Sequence, residues 1–125
     1  MVFRDNLSIY QQIAERICDE ILDNKYPPGE RIPSIREYAA QVEVNANTVV
    51  RSYEWLQQQE IIFNKRGIGY YVAPEGKLRI KDLRRERFFN DELLTFFNRL
   101  YTLDITIEEI DNHYAQFLAK NRKNE

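Results

Sequence analysis

Between residues 33 and 73 the apolar pattern changes period once, from the 3.6-residue spacing of helices to the two-residue alternation of strands. That switch leaves room for two short helices and one hairpin. Ser34-Ile35-Arg36-Glu37 has the S-x-x-E form of a capping box, and Pro33 fixes the direction of entry into the first of these helices. Tyr38, Ala39 and Val42 take its inward positions. After a short turn Asn45 is a favourable N-cap, and Val49, Ser52, Tyr53 and Leu56 form one inward stripe on a second helix. Ile61-Ile62-Phe63 and Gly69-Tyr70-Tyr71-Val72-Ala73 then read as strands, joined by the loop Asn64-Lys65-Arg66-Gly67-Ile68. Two helices across a tight turn, followed by a hairpin, are the parts of a winged helix-turn-helix in their usual order.

A helix precedes this stretch. Ser8 and Gln11 form an S-x-x-Q box, with the Gln side chain expected to return to the cap amide, and Ile9, Tyr10, Ile13, Ala14, Ile17, Cys18, Ile21 and Leu22 form a stripe over residues 9–24. Glu15, Asp19, Glu20 and Asp23 lie opposite, and Pro27-Pro28-Gly29 is the expected stop.

Residues 77–125 read as a separate helical tail behind a winged helix-turn-helix domain at 1–76. A basic run (Lys77, Arg79, Lys81, Arg84, Arg85, Arg87) enters one helix, and a second covers about residues 107–120. The run is either a solvated helix start or an auxiliary phosphate contact. The apolar groups of the tail exceed what two helices can bury on each other, which predicts self-association. Phe88, Phe89, Leu93, Phe96, Phe97, Leu100, Tyr101, Tyr114 and Phe117 are the candidate dimerisation residues. The expected fold is mainly α, an α+β winged helix-turn-helix with a C-terminal two-helix dimerisation module.

Charge sets a condition on any nucleic-acid partner. The chain carries a formal charge of −2, and residues 1–76 hold eight Lys/Arg against eleven Asp/Glu, so bulk positive charge cannot supply phosphate affinity. Arg31, Arg36, Arg51, Lys65 and Arg66 nevertheless fall on or beside the helix pair and the hairpin, whereas the acids gather on the first helix. A unit that is basic on one face reconciles the two facts. Asn47, Thr48 and Arg51 near a helix start can meet phosphates and base edges, and a cationic hairpin tip at Lys65 and Arg66 suits a minor groove. The bland reading of these residues is an ordinary solvated face.

With those residues in place, the pattern is similar to a known family. Ile32-Pro33-Ser34-Ile35-Arg36-Glu37-Tyr38-Ala39, Val44-Asn45-Ala46-Asn47-Thr48-Val49, Arg51-Ser52-Tyr53-Glu54-Trp55-Leu56 and Arg66-Gly67-Ile68-Gly69-Tyr70-Tyr71-Val72 resemble the N-terminal domain of GntR-family bacterial regulators over about residues 8–74. The N-x-N-T-V helix start and short tail resemble the YtrA-like subfamily. The resemblance implies a dimeric repressor that binds double-stranded operator DNA, with contacts carried to Ser34, Arg36, Asn45, Asn47, Thr48, Arg51, Arg66 and Gly67; Lys65 joins them from its place at the tip. It also implies dimerisation through the helical tail. Ala46 stands where many members place Arg or Pro and Val50 where many place Arg, which shifts weight to the wing and the dimer.

Other classes find little support. One buried-type cysteine, Cys18, can form no internal disulfide, no run of about 20 apolar residues spans a membrane, and Met1-Val2-Phe3-Arg4-Asp5 lacks the apolar core of a leader, so a cytoplasmic protein is expected. No nucleophile–base pair or phosphate loop is present, so an enzyme is not expected. His113 and Glu109 share a helix face but read as solvated residues, and neither a metal nor another cofactor is expected. A winged helix used for protein contacts alone is the alternative. The sequence names no effector.

Overall fold

The computed structural model of the chain describes residues 7–122, and residues 1–5, read above for a leader, lie outside them. The elements are α1 (Ile9–Leu22), α2 (Ile35–Val42), α3 (Ala46–Gln58), β1 (Ile62–Lys65), β2 (Gly69–Val72), α4 (Gly76–Arg87), a π-helical turn (Phe88–Glu92), α5 (Leu93–Thr102) and α6 (Ile107–Arg122). The mainly helical winged helix-turn-helix expected from the sequence is the observed fold. One compact unit ends at Arg84 and a second begins at Arg85.

In the first unit, α1 starts at Ser8, whose hydroxyl accepts the Gln11 N–H (3.4 Å) and donates to Gln11 Oε1 (3.2 Å). The Gln side chain therefore meets the hydroxyl, not the cap amide as the box predicts. Ile13, Ala14, Ile17, Cys18 and Ile21 are buried as the stripe requires, but Ile9 is 52% exposed at the helix start. The helix also ends earlier than residue 24, and the prolines do not stop it. Asn24 turns left-handed (φ +63°), and the Lys25 N–H reaches back to Glu20 O (2.9 Å), closing a Schellman turn.

The α2 box forms in full: Ser34 Oγ accepts the Glu37 N–H (3.1 Å) and Glu37 Oε1 accepts the Ser34 N–H (3.2 Å). A left-handed Glu43 (φ +56°) turns the chain toward α3, where glycine is common in such turns. Asn45 caps α3 by accepting the Asn47 N–H at 2.8 Å. All four stripe residues of α3 are buried, and the one polar member, Ser52, donates to Tyr10 O at 2.6 Å. Burying a hydroxyl costs free energy unless such an acceptor is present.

The hairpin pairs Ile62 with Val72, Phe63 with Tyr71, Asn64 with Tyr70 and Lys65 with Gly69. Asn64 and Lys65 therefore lie in β1, not in the loop, which shortens to Arg66-Gly67-Ile68. A 2.8 Å bond from the Ile68 N–H to Lys65 O closes it, with Gly67 in the left-handed region (φ +77°). Residues 29–32 run along the other edge of β2, where the Ile32 N–H donates to Tyr70 O and the Val72 N–H to Glu30 O, both at 2.9 Å. Ile62 and Val72 are buried in the core that α1, α2 and α3 share, so Phe63, Tyr71 and Lys65 lie on the outer face of the hairpin. Gly76 opens α4 in close contact: a Cβ there would lie 2.8 Å from Ile61 O. Ile80 adds to the core.

The second unit turns its chain between α5 and α6 at a left-handed Asp104, with the Ile105 N–H bonded to Leu100 O (2.9 Å). Thr106 caps α6, and the Glu109 carboxylate accepts the Thr106 N–H at 2.8 Å. Glu109, weighed above with His113, thus serves a second capping box. Leu100 is buried, whereas Phe88, Phe89, Phe96, Phe97, Tyr101, Tyr114 and Phe117 are exposed and Leu93 is half-buried.

Candidate nucleic-acid interface

Four consecutive residues join the parts of the candidate surface. Arg31 pairs with Tyr71 along the edge of β2 and Ile32 bonds Tyr70. Pro33 O then accepts the Tyr53 hydroxyl of α3 at 2.7 Å, and Ser34 caps α2. The hairpin, the start of α2 and the middle of α3 are therefore fastened to one short segment.

Each candidate residue has a definite place on this frame. Arg36 is exposed in the first turn of α2, and Ser34 beside it retains a hydroxyl hydrogen after its oxygen has capped the helix. Asn45 uses its carbonyl oxygen on the Asn47 N–H, which leaves its amide NH2 to donate. Asn47 is exposed and Thr48 half-buried at the α3 N-terminus, where the positive end of the helix dipole favours an anion. The Arg51 guanidinium carbon lies 4.3 Å from the centroid of the Tyr10 ring, and Lys65 Nζ lies 4.3 Å from that of Tyr71. Arg66 and Gly67 form the exposed hairpin tip. Among the described residues, Arg36, Arg51, Lys65 and Arg66 have no acidic partner within ion-pair distance.

Three residues have a holding role that the sequence did not assign, although Arg31 was named there among the cations beside the helix pair. A Cβ on Gly69 would lie 3.1 Å from Arg31 Nε, so the Arg31 side chain lies against the glycine at the tip end of β2, next to the turn. Tyr10 and Tyr71 support the two cations named above. Gly-x-Gly was visible at 67–69, but nothing local to it points to residue 31.

Electrostatics explain how an acidic sequence supports this surface. Arg84 bridges Glu15 (3.0 Å) and Asp19 (2.8 Å) of α1, and Arg79 pairs with Glu60 (2.8 Å). Burial pulls the Arg84 guanidinium down, but the bond to Asp19 and the charges of Glu15 and Asp19 outweigh it and hold its pKa above the ordinary value. Glu20 takes Lys25 (2.9 Å) and the Tyr38 hydroxyl (2.6 Å). Two residues of the basic run, Arg79 and Arg84, thus have acidic structural partners. Counted to Arg84, the first unit holds twelve Lys/Arg and twelve Asp/Glu and is formally neutral.

No helix among the described residues is long and apolar enough to cross a membrane. The family model for bacterial regulatory proteins of the gntR family matches residues 9–72. The HTH-type transcriptional regulator YhcF of Bacillus subtilis is 32% identical over 108 residues, 86% of this chain and 88% of that protein. The HTH-type transcriptional repressor YtrA of the same organism is 35% identical over 74 residues, 59% of this chain and 57% of YtrA. A crystal structure described as a GntR-family transcriptional regulator from Bacteroides thetaiotaomicron superposes with a TM-score of 0.81 at 54% identity, covering 91% of this chain and 99% of that one. These relatives are transcription regulators, not enzymes. The chain belongs to the GntR family of helix-turn-helix transcription regulators.

Proposed function

We propose that the chain acts as a homodimeric repressor that reads a pseudo-palindromic operator in double-stranded DNA. Asn47, Thr48 and Arg51 approach base edges in the major groove; Ser34, Arg36 and Asn45 hold phosphates; Lys65, Arg66 and Gly67 enter the minor groove. The observation that carries this reading is the single segment, residues 31–34, that fixes wing, α2 and α3 together, on a surface whose Arg36, Arg51, Lys65 and Arg66 have no acidic partner among the described residues. Repression follows the relative YtrA, which is described as a repressor.

The second unit supplies the dimer on this reading. Its exposed Phe88, Phe89, Phe96, Phe97, Tyr101, Tyr114 and Phe117, with Leu93, form an apolar surface that a second copy buries, while Leu100 packs within the chain. A two-fold dimer reads half-sites about 34–36 Å apart, or a multiple of that spacing.

The test is binding to a duplex taken from upstream of the chain's own gene, followed by fluorescence anisotropy over a range of salt. Specific binding that weakens with salt, with a shallow slope set by the few cations of the surface, is expected. Absence of binding at low salt rejects the operator reading in favour of a protein-contact module.

A further inference from the structure

The first unit treats its cations in two ways. Arg84 directs its donors to two carboxylates, Glu15 and Asp19, and is thereby neutralised. Arg51 and Lys65 lie instead over the rings of Tyr10 and Tyr71, at 4.3 Å in each case, without an acidic partner among the described residues. A ring face attracts a cation through its quadrupole without neutralising its charge as a carboxylate does, so the charge and the donors turned away from the ring stay available to a ligand.

The Tyr10 backbone and the Tyr71 ring are themselves held in place. The Tyr10 carbonyl accepts the Ser52 hydroxyl at 2.6 Å, one position from Arg51. Tyr71 stacks on its cross-strand neighbour Phe63, with centroids 5.8 Å apart and planes at 24°. Neither tyrosine belongs to the buried core.

We propose that Tyr10 and Tyr71 are positioning residues for DNA recognition, which hold Arg51 and Lys65 in a binding geometry before the duplex arrives. The role rests on the DNA-binding reading above. It matters more here than in a strongly basic protein, because the unit is formally neutral and its affinity depends on a few placed groups. Pre-ordering one long side chain is worth about 2- to 10-fold in affinity.

The experiment uses a duplex that the wild-type chain recovers from a random-sequence library, with affinity and single-base-pair preference measured for Tyr10→Leu, Tyr10→Phe, Arg51→Ala and the double variant Tyr10→Leu/Arg51→Ala. Tyr10→Leu is expected to weaken binding by about 2- to 10-fold and to blunt the preference at one base pair, Tyr10→Phe to bind as wild type does, and the double variant to match Arg51→Ala. A Leu effect that persists undiminished without Arg51, or a Phe variant as weak as Leu, overturns the proposal. Tyr71→Thr and Tyr71→Phe against Lys65→Ala repeat the cycle on the outer face of the hairpin, and they decide the matter if Tyr10→Leu does not fold. A wild-type chain that recovers no duplex overturns the DNA reading itself, and this role with it.

Discussion

The hydroxyl of Tyr53 donates a 2.7 Å hydrogen bond to the carbonyl oxygen of Pro33, fastening the middle of α3 to the residue before the α2 cap. Burial pushes the Tyr53 pKa far above the ordinary tyrosine range, so the hydroxyl keeps its proton at any pH at which the protein is handled. Removing that donor leaves a carbonyl without its partner. Tyr53→Phe is therefore expected to lower stability by about 1–3 kcal/mol, read as a reduced urea midpoint. An unchanged midpoint would show that the carbonyl is satisfied without Tyr53.

Glu43 holds a left-handed conformation in the turn between α2 and α3, where its Cβ is a steric burden. Replacing it by glycine relieves about 1–2 kcal/mol of strain and returns roughly 0.5–1 kcal/mol through the freer unfolded chain. Glu43→Gly should raise the melting temperature. A lower value would place Glu43 in an interaction worth more than its strain.

Gly76 has the opposite requirement. A methyl group there would sit 2.8 Å from Ile61 O and 3.2 Å from Val72 Cγ1, both held by the core. Gly76→Ala is expected to cost about 1–3 kcal/mol by thermal or urea unfolding, despite alanine's higher helix propensity. A neutral result would mean that the start of α4 moves away freely.

The backbone N–H of Ser34, together with its hydroxyl, holds the Glu37 carboxyl below the usual carboxylate range. A depressed folded value stabilises the protein above the unfolded pKa of about 4.3, and the contribution disappears as pH falls through the folded value. The wild-type advantage over Glu37→Gln should accordingly shrink between pH 7 and pH 3. Melting curves at the two pH values check this, and a constant gap would contradict it.

Phe96 is exposed on α5 of the second unit. If a second copy covers it, Phe96→Asp places a charge in an apolar contact and should give monomers in sedimentation while the first unit still melts cooperatively. A variant that remains dimeric removes Phe96 from the interface.

Much of the frame was legible because its signals are local. The Ser34 capping box, the Asn45 cap and the buried stripe of α3 each depend on residues within one or two turns of one another. The helix ends were harder. Asn24, Glu43, Glu60 and Asp104 all turn left-handed, a position whose usual sign is glycine, and three of the four are acids. β1 extended past Phe63 because ladder pairing with Tyr70 and Gly69 overrides the weak strand preference of Asn64 and Lys65.

The candidate site divides in the same way. Its exposed residues could be named from helix position, but the groups that support them come from elsewhere in the chain: Tyr10 from α1 for Arg51, and Arg31 for the tip end of β2 at Gly69. Arg84 likewise finds Glu15 and Asp19 more than sixty positions away, a pairing that no local pattern records.

The formal neutrality of the unit ending at Arg84 bears on how such a regulator distributes itself in a cell. Affinity for arbitrary duplex arises almost entirely from phosphate neutralisation, and a unit without surplus cations has little of it. Few molecules are then sequestered along the chromosome, the unbound pool stays large, and occupancy of the true site follows the cellular copy number closely.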